Sequence, residues 1–304
     1  MISETSGWVK RGRIFEPAGQ APWIGTHAAL PVVEPIDRGH RVYFCSRDPA
    51  GRSQIGYGEL ARGATQIDRV SPEPVLRPGS LGVFDDAGVT TSCLVRRDDR
   101  AYLYYTGWSR GVSVPFYLNI GLAISEREGP FHRISAAPLL DRIAADPYLS
   151  ASPWVLVEAS VWRMWYVSGT GWETINGQPR HNYHIKYAES PDGLHWVRTG
   201  AVAIDYGKGE YAFGRPCVMR DPGSGRYRMW FSVRGDAYRL GYAESVDGLV
   251  WERNDRQAHV PLSASGWDSE MITYPVVFAE GGILHMLYNG NGYGQTGIGW
   301  ATWA

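Results

Sequence analysis

Four acidic side chains stand in short polar segments beside aromatic-rich stretches: Asp48 in Arg47-Asp48, Asp85 and Asp86 in Phe84-Asp85-Asp86, and Glu270 in Trp267-Asp268-Ser269-Glu270. Two carboxyl groups flanking one bond can act as proton donor and as base or nucleophile, the machinery that cleaves glycosidic bonds. Asp86 and Glu270 are the expected catalytic pair. Asp48 follows Arg47, should stay ionised beside it, and is expected to orient or tune the pair. Arg47, Arg215 and Arg234 stand in similar segments, and a guanidinium fork matches phosphate or carboxylate. Trp108, Trp172 and Tyr293 offer flat apolar faces of the kind a sugar ring needs. His27, Asp85, Asp236, Tyr274, Asn289 and Asn291 supply donors and acceptors for hydroxyls and complete the expected substrate-binding set.

Each of these residues also has a structural reading. Arg47-Asp48 could be an ion pair closing a tight turn before Gly51, and Asp85-Asp86 an Asx turn before Gly88. Asn289-Gly290-Asn291-Gly292 could be turn chemistry alone, and His27 a satisfied structural histidine. Asp192 and Asp247 read as hairpin residues away from any site. Glu270 is the stronger functional candidate, because it lies between Trp267 and Tyr274 just before a strand. Other chemistries are quiet. Gly290-Asn291-Gly292-Tyr293-Gly294 opens no helix, so a dinucleotide site is not expected. Cys45, Cys93 and Cys217 have no metal-ligand spacing. No cofactor and no metal are expected.

The elements that must position these residues follow a repeat. Five aromatic-rich strands can be matched on Tyr43, Leu103, Trp165, Trp230 and Met286, at steps of 60, 62, 65 and 56 residues. A partner strand follows each one: Ile55–Glu59, Ile120–Ile124, Ile185–Glu189, Leu240–Glu244 and Thr296–Trp300. A strand precedes each pair, at Ala29–Val33, Thr91–Val95, Pro153–Val157, Pro216–Met219 and Tyr274–Phe278. A fourth strand follows several, as in Trp196-Val197-Arg198 after Asp192-Gly193 and Trp251-Glu252-Arg253 after Asp247-Gly248; Asp-Gly is a strong hairpin signal. Four antiparallel strands repeated five times describe an all-β, five-bladed β-propeller. We expect one domain over 1–304, with blades at about 17–75, 76–140, 141–204, 205–260 and 261–304 plus 7–16. The fifth repeat lacks a fourth strand, and Trp8-Val9-Lys10-Arg11 resembles Trp196-Val197-Arg198-Thr199, so the N-terminal strand should close the last blade. The segments before the first strands and between the second and third then converge on one funnel, where binding residues concentrate.

Composition agrees with this reading. Of 304 residues 44% are hydrophobic, with 13 Trp, 18 Tyr and 37 Gly, which favours short strands and tight turns over disorder. A net charge of −1 gives no field to recruit nucleic acid or an anionic membrane. No run nears the roughly 18 apolar residues that span a bilayer, and the start lacks a secretory pattern. The expected place is the cytoplasm, with no nucleic-acid partner and no membrane insertion. Nothing in the sequence sets an oligomeric state.

The stretch Tyr187-Ala188-Glu189-Ser190-Pro191-Asp192-Gly193-Leu194-His195-Trp196 and its copy at Tyr242–Trp251 resemble the five-bladed glycoside hydrolase superfamily, which includes arabinanases, xylosidases, invertases, levansucrases and mannoside phosphorylases. Trp267–Ile272 with Met286–Gly294 resembles a cytoplasmic subgroup often encoded among polysaccharide-assembly functions. The resemblance spans nearly the whole chain. It implies a carbohydrate-active enzyme acting on a glycoside or an anionic sugar, phosphorylated or nucleotide-linked, by carboxylate acid/base chemistry. Its hydrolases usually carry an Asp at the start of the first inner strand. Here Thr26-His27-Ala28-Ala29 has none, His27 stands near that place, and Ser150-Ala151-Ser152-Pro153 offers no acid either. Alternatives are therefore a glycosyltransferase or phosphorylase, favoured by the three arginines; a non-catalytic glycan-binding protein; and a lyase or cyclase on a small metabolite.

Overall fold

The computed structural model describes residues 7–235 and 238–304. Asp236, one of the expected binding residues, lies outside the described residues. After β1 (Trp8–Phe15), the strands come in five successive meanders. These are β2 (Ala29–Ile36), β3 (Gly39–Arg47) and β4 (Ser53–Ala61); β5 (Gly88–Arg97), β6 (Arg100–Arg110), β7 (Phe116–Glu126) and β8 (His132–Arg133); β9 (Ser150–Glu158), β10 (Val161–Ile175), β11 (Gln178–Ser190) and β12 (Val202–Ile204); β13 (Ala212–Arg220), β14 (Tyr227–Arg234), β15 (Tyr238–Ser245) and β16 (Glu252–Arg253); and β17 (Thr273–Glu280), β18 (Ile283–Asn289) and β19 (Ile298–Trp303).

The chain is all-β. Hydrogen bonds group the strands into three sheets, none of them closed: β1-β19-β18-β17, β16-β15-β14-β13-β11-β10-β9 with β12 on β11, and β2 through β8 in chain order. Single parallel pairings, Ser53 with Gly88 and Tyr183 with Ala212, link neighbouring meanders into the two longer sheets. The first strands of the meanders lie side by side. β2 neighbours β5, β5 neighbours β9, β9 neighbours β13, β13 neighbours β17, and β17 neighbours β2.

Local chemistry explains the repeat. The third strand of three meanders carries a glycine against an aromatic ring of the second strand; a Cβ on Gly121 would sit 2.3 Å from the Tyr105 ring, one on Gly241 2.5 Å from Phe231 and one on Gly299 2.6 Å from Tyr288, while Gly56 of the first meander faces the Trp23 ring at 2.3 Å. The third meander has Lys186 there instead, and its amine goes to the buried Asp146. The Asp-Gly turns are tied by their own side chains. Asp192 Oδ1 accepts from the amides of Leu194 and His195 at 2.8 Å, and Asp247 Oδ1 from Leu249 and Val250 at 2.8 and 3.0 Å. Trp196 and Trp251 donate to the carbonyls of Gly193 and Gly248.

Gly107-Trp108 and Gly169–Trp172 lie within strands, because β6 runs on to Arg110 and β10 to Ile175. One sequence expectation needs correction. Trp196–Arg198 makes only a single bridge, Val197 with Glu189, and the fourth strand comes later as β12.

β1 pairs antiparallel with β19, placing Trp8 opposite Trp303, so the N-terminal strand completes the last sheet as expected. Trp8 meets Trp303 edge-on at 5.4 Å, and Ile14 and Phe15 are each only 1% exposed. Burying each such side chain contributes about 1.5–3 kcal/mol, and removing β1 would also leave β19 as an open edge. Deleting residues 1–16 is therefore expected to lower the melting temperature by ten degrees or more, on the order of 2–4 °C per kcal/mol. A truncated protein that melts with the full chain would refute this closure.

Candidate functional site

The starts of the five first strands enclose a cavity of about 370 Å³. Its lining takes Leu30 from β2, Thr90 from β5, Ser152 from β9, Gly214 from β13 and Tyr274 from β17. At this level the strands bulge, with register breaks at Ala29/Val32, Thr91/Cys93, Gly214/Cys217 and Thr273/Val276. Leu30, Ser152 and Tyr274 each precede a proline and have φ of 56°, 49° and 52°. Non-glycine residues in this left-handed region cost about 1–3 kcal/mol and persist only when their surroundings hold them. The holding groups are side chains. Asn289 Oδ1 accepts from the Leu30 amide, Thr106 Oγ1 from Ser152 and Ser232 Oγ from Tyr274, each at 2.8 Å.

The walls are aromatic and cationic. His27 stands on the β1–β2 segment, and Arg47 at the end of β3 is exposed. Trp108 on β6 is fixed by a hydrogen bond from its indole to Ser53 Oγ at 2.8 Å. β11 contributes His181 and Tyr183, whose rings stack at 4.8 Å and 4°. Tyr238 and Tyr293 meet edge-on at 5.5 Å, and Arg234 lies 5.2 Å from the Tyr238 ring and 5.4 Å from Tyr211. Among the described residues neither Arg47 nor Arg234 has a carboxylate partner, and no Asp or Glu lines the cavity.

Burial first, then the Arg47 guanidinium, lowers the His27 pKa to about 4. Burial, then Arg234 and Arg180, takes His181 to about 4 as well. Both imidazoles are therefore neutral at pH 7 and can accept a proton. Burial pushes the Tyr183, Tyr238 and Tyr274 hydroxyls up, so they remain donors. The unfolded chain, with histidines near 6.5, binds more protons than the native state between about pH 4 and 6.5, so stability rises with pH across that window. Replacing His27 and His181 by glutamine is expected to flatten the rise, measured as urea midpoints from pH 4 to 7. An unchanged slope would mean that both titrate normally.

The expected site residues divide. His27, Arg47, Trp108, Arg234 and Tyr274 come together at the cavity. Trp172 stands behind it, packed on Phe116 and His181. Asn289 and Asn291 hold backbone. Asn289 is buried, with its amide group donating to the carbonyls of Ala28 and Gly297, and Asn291 Oδ1 accepts from the amides of Glu270 and Met271. Arg215 is wholly buried and does not reach the cavity.

The carboxylates do not assemble as expected. Asp48 Oδ1 accepts from the amides of Ala50 and Arg52 at 2.9 Å, and Oδ2 pairs with Arg52, not Arg47. Burial opposes its charge, but these bonds hold the pKa below the usual value. Asp86 accepts from the Gly82 amide at 2.9 Å. Glu270 is exposed outside the lining. Asp85 is buried against Tyr105 and Arg133 at 3.0 and 2.7 Å, one of a recurring set. Asp146 binds Tyr166, Ser168, Lys186 and Arg198; Asp268 binds Tyr288 and Lys10; Glu210 binds Arg239 and Arg253. Acids ahead of the first strands thus brace the meanders. A short carboxylate beside turn amides or a buried cation is held where it stands. His181, Tyr183 and Tyr238 were missed in the sequence. For His181 and Tyr183 the signal was present in His181-Asn182-Tyr183-His184, whose alternate residues face one way in a strand.

No family model matches the chain. Two proteins of Mycobacterium tuberculosis, uncharacterized protein MT1551 (strain CDC 1551 / Oshkosh) and uncharacterized protein Rv1502 (strain ATCC 25618 / H37Rv), are each 45% identical over 298 residues, 97% of this chain and 98% of theirs. Among solved structures, one titled glycoside hydrolase superposes with a TM-score of 0.74 at 16% identity, covering 96% of this chain and 90% of its own. A thermostable family-43 glycoside hydrolase gives 0.67 at 19% identity, covering 91% and 89%. A structure described as belonging to the GH130 family of mannoside phosphorylases, containing hydrolases of β-1,2 mannosidic linkages in Candida mannan, gives 0.69 at 14% identity, covering 99% and 95%. At these identities the likeness is one of fold: that of glycoside hydrolase proteins.

Proposed function

The chain belongs to the family of the Mycobacterium tuberculosis proteins MT1551 and Rv1502, and from that premise we propose a single-domain, five-bladed β-propeller enzyme that acts on an anionic sugar in its axial cavity. Five meanders with neighbouring first strands support the five blades. The carbohydrate substrate rests on the glycoside hydrolase and mannoside phosphorylase names of the structural neighbours. One observation carries the anionic group: two guanidinium groups, Arg47 and Arg234, without carboxylate partners among the described residues, at a cavity whose described lining holds no acid. A phosphate or carboxylate of the substrate is the charge that would complete them. Trp108, Tyr183 and Tyr293 supply ring faces, and the neutral His27 and His181 with the tyrosine hydroxyls supply proton acceptors and donors. This replaces the carboxylate pair as the proposed machinery and favours transfer, phosphorolysis or elimination over two-carboxylate hydrolysis. Three free, buried cysteines support a reducing, cytoplasmic setting, and the likeness of Trp267–Ile272 and Met286–Gly294 to proteins often encoded among polysaccharide-assembly functions supports a role there.

The test is calorimetry with matched ligands: methyl hexosides, the corresponding hexuronates and the hexose phosphates. At least one anionic member should bind ten-fold or more tighter than its neutral counterpart, a gap of about 1.4 kcal/mol. Equal affinity across each matched set would end the proposal. A non-catalytic glycan-binding role is favoured by the absence of an acid in the described lining, and it is the reading left if the best ligand binds but no product forms.

A further inference from the structure

Directly below the cavity floor lies a cation that the site does not use. Arg215 follows Gly214 on β13 and is 0% exposed. Its Nη2 donates to the carbonyl oxygens of Tyr274 and Pro275 at 3.2 and 3.1 Å. Its Nε and Nη1 are buried and have no partner among the described residues. Burial disfavours its charge, the thiols of Cys217, Cys93 and Cys45 and the Tyr274 phenol act on it next, and no carboxylate pairs with it among the described residues. Burial pushes the thiols up, to about 11 for Cys45 and about 12 for Cys93 and Cys217, so they stay neutral and do not balance the guanidinium. The Trp154 ring, 6.0 Å from Cζ, covers another side. A buried charge without a counter-charge is among the most costly arrangements a protein can hold, and the usual remedy is a partner ion.

We propose that Arg215 holds a small monovalent anion, a halide such as chloride, on the axis beneath the cavity. The free donors and the missing carboxylate call for negative charge. The complete burial of Arg215, outside the cavity lining, calls for a small ion rather than a sugar phosphate. Water could satisfy the two nitrogens but would leave the charge uncompensated. This site is independent of the sugar-binding proposal, which rests on Arg47 and Arg234.

Crystals of the full chain grown in sodium bromide and measured at the bromine edge test it directly. The expected result is an anomalous peak within hydrogen-bonding distance of Arg215 Nε or Nη1. Density without anomalous signal at that point is water and overturns the proposal. In solution, replacing gluconate by chloride at constant ionic strength should raise the wild-type melting temperature by a few degrees, since an ion bound only to the native state stabilises it by mass action. Arg215→Met keeps the length and removes the charge, and should lose that dependence. A wild type indifferent to chloride, or a folded Met variant as responsive as wild type, overturns the proposal. If the variant does not fold, the bromide peak decides. Arg47→Ala and Arg234→Ala should leave that peak in place, which separates the two proposals.

Discussion

Replacing Arg234 by alanine is expected to weaken an anionic sugar by roughly 10- to 150-fold, the worth of about 1.5–3 kcal/mol for a charge-assisted hydrogen bond. Arg234 should show the larger loss of the two cavity arginines. Its guanidinium is half-buried between the rings of Tyr211 and Tyr238, at 5.4 and 5.2 Å, where water competes weakly for the ligand. Arg47 is exposed, so its charge is better screened and Arg47→Ala should cost less. Arg234→Lys keeps the charge but loses the planar fork and should fall between wild type and alanine. Asp86→Asn and Glu270→Gln serve as controls, because neither side chain lines the cavity; their affinities should match wild type. Isothermal titration of the five variants against the tightest anionic ligand reads all of this. Should Arg234→Ala bind as well as wild type while Glu270→Gln loses the ligand, the binding site lies at the Glu270 rim instead.

The second large effect concerns folding. Asp146 is buried and receives hydrogen bonds from Tyr166 at 2.9 Å and Ser168 at 2.7 Å, with Lys186 at 3.2 Å and Arg198 at 3.1 Å as counter-charges. Asp146→Ala leaves Lys186 and Arg198 nearly buried with no carboxylate. Breaking a buried pair from one side costs about 3–5 kcal/mol, a fall in melting temperature on the order of 10 °C for a chain of this size. The same group predicts acid sensitivity. Burial raises the pKa of its carboxyl, but Ser168, Tyr166 and Lys186 outweigh burial and hold it below the usual value. The unfolded chain then binds the proton more readily. The contribution is complete above the unfolded value of about 3.9 and is lost as pH falls through the lower folded value. Urea midpoints for wild type and variant, compared at pH 7 and below pH 4, should converge on acidification. A variant with wild-type stability at pH 7 would show that Asp146 braces nothing.

The elements were legible in the sequence because their causes are local. Asp192-Gly193 and Asp247-Gly248 close turns with their own carboxylates and glycine backbone, and Trp8 carries the pattern of the strand missing from the last repeat. Aromatic strands followed by glycine-bearing partners reflect a contact between neighbouring strands, visible at Tyr105 over Gly121 and Phe231 over Gly241. The site was legible only in part. His27, Arg47, Trp108, Arg234 and Tyr274, singled out from the sequence, line the cavity. What repeat position does not decide is which way a side chain faces. In a strand a one-residue shift turns a side chain to the other face, and bulges at the cavity floor introduce such shifts in the first strands. The bulged stretch of β13 lines the cavity with Gly214 and buries Arg215 below it. The extension of β10 and β11 lifts His181 and Tyr183 to the wall, a placement that repeat position alone does not give. Asp85 became a brace and Asp48 a turn cap because Arg133 and Arg52 were within reach. Strand type is decided by neighbours in sequence, but the partner that satisfies a charge is decided by neighbours in space, and those exist only once the chain has folded.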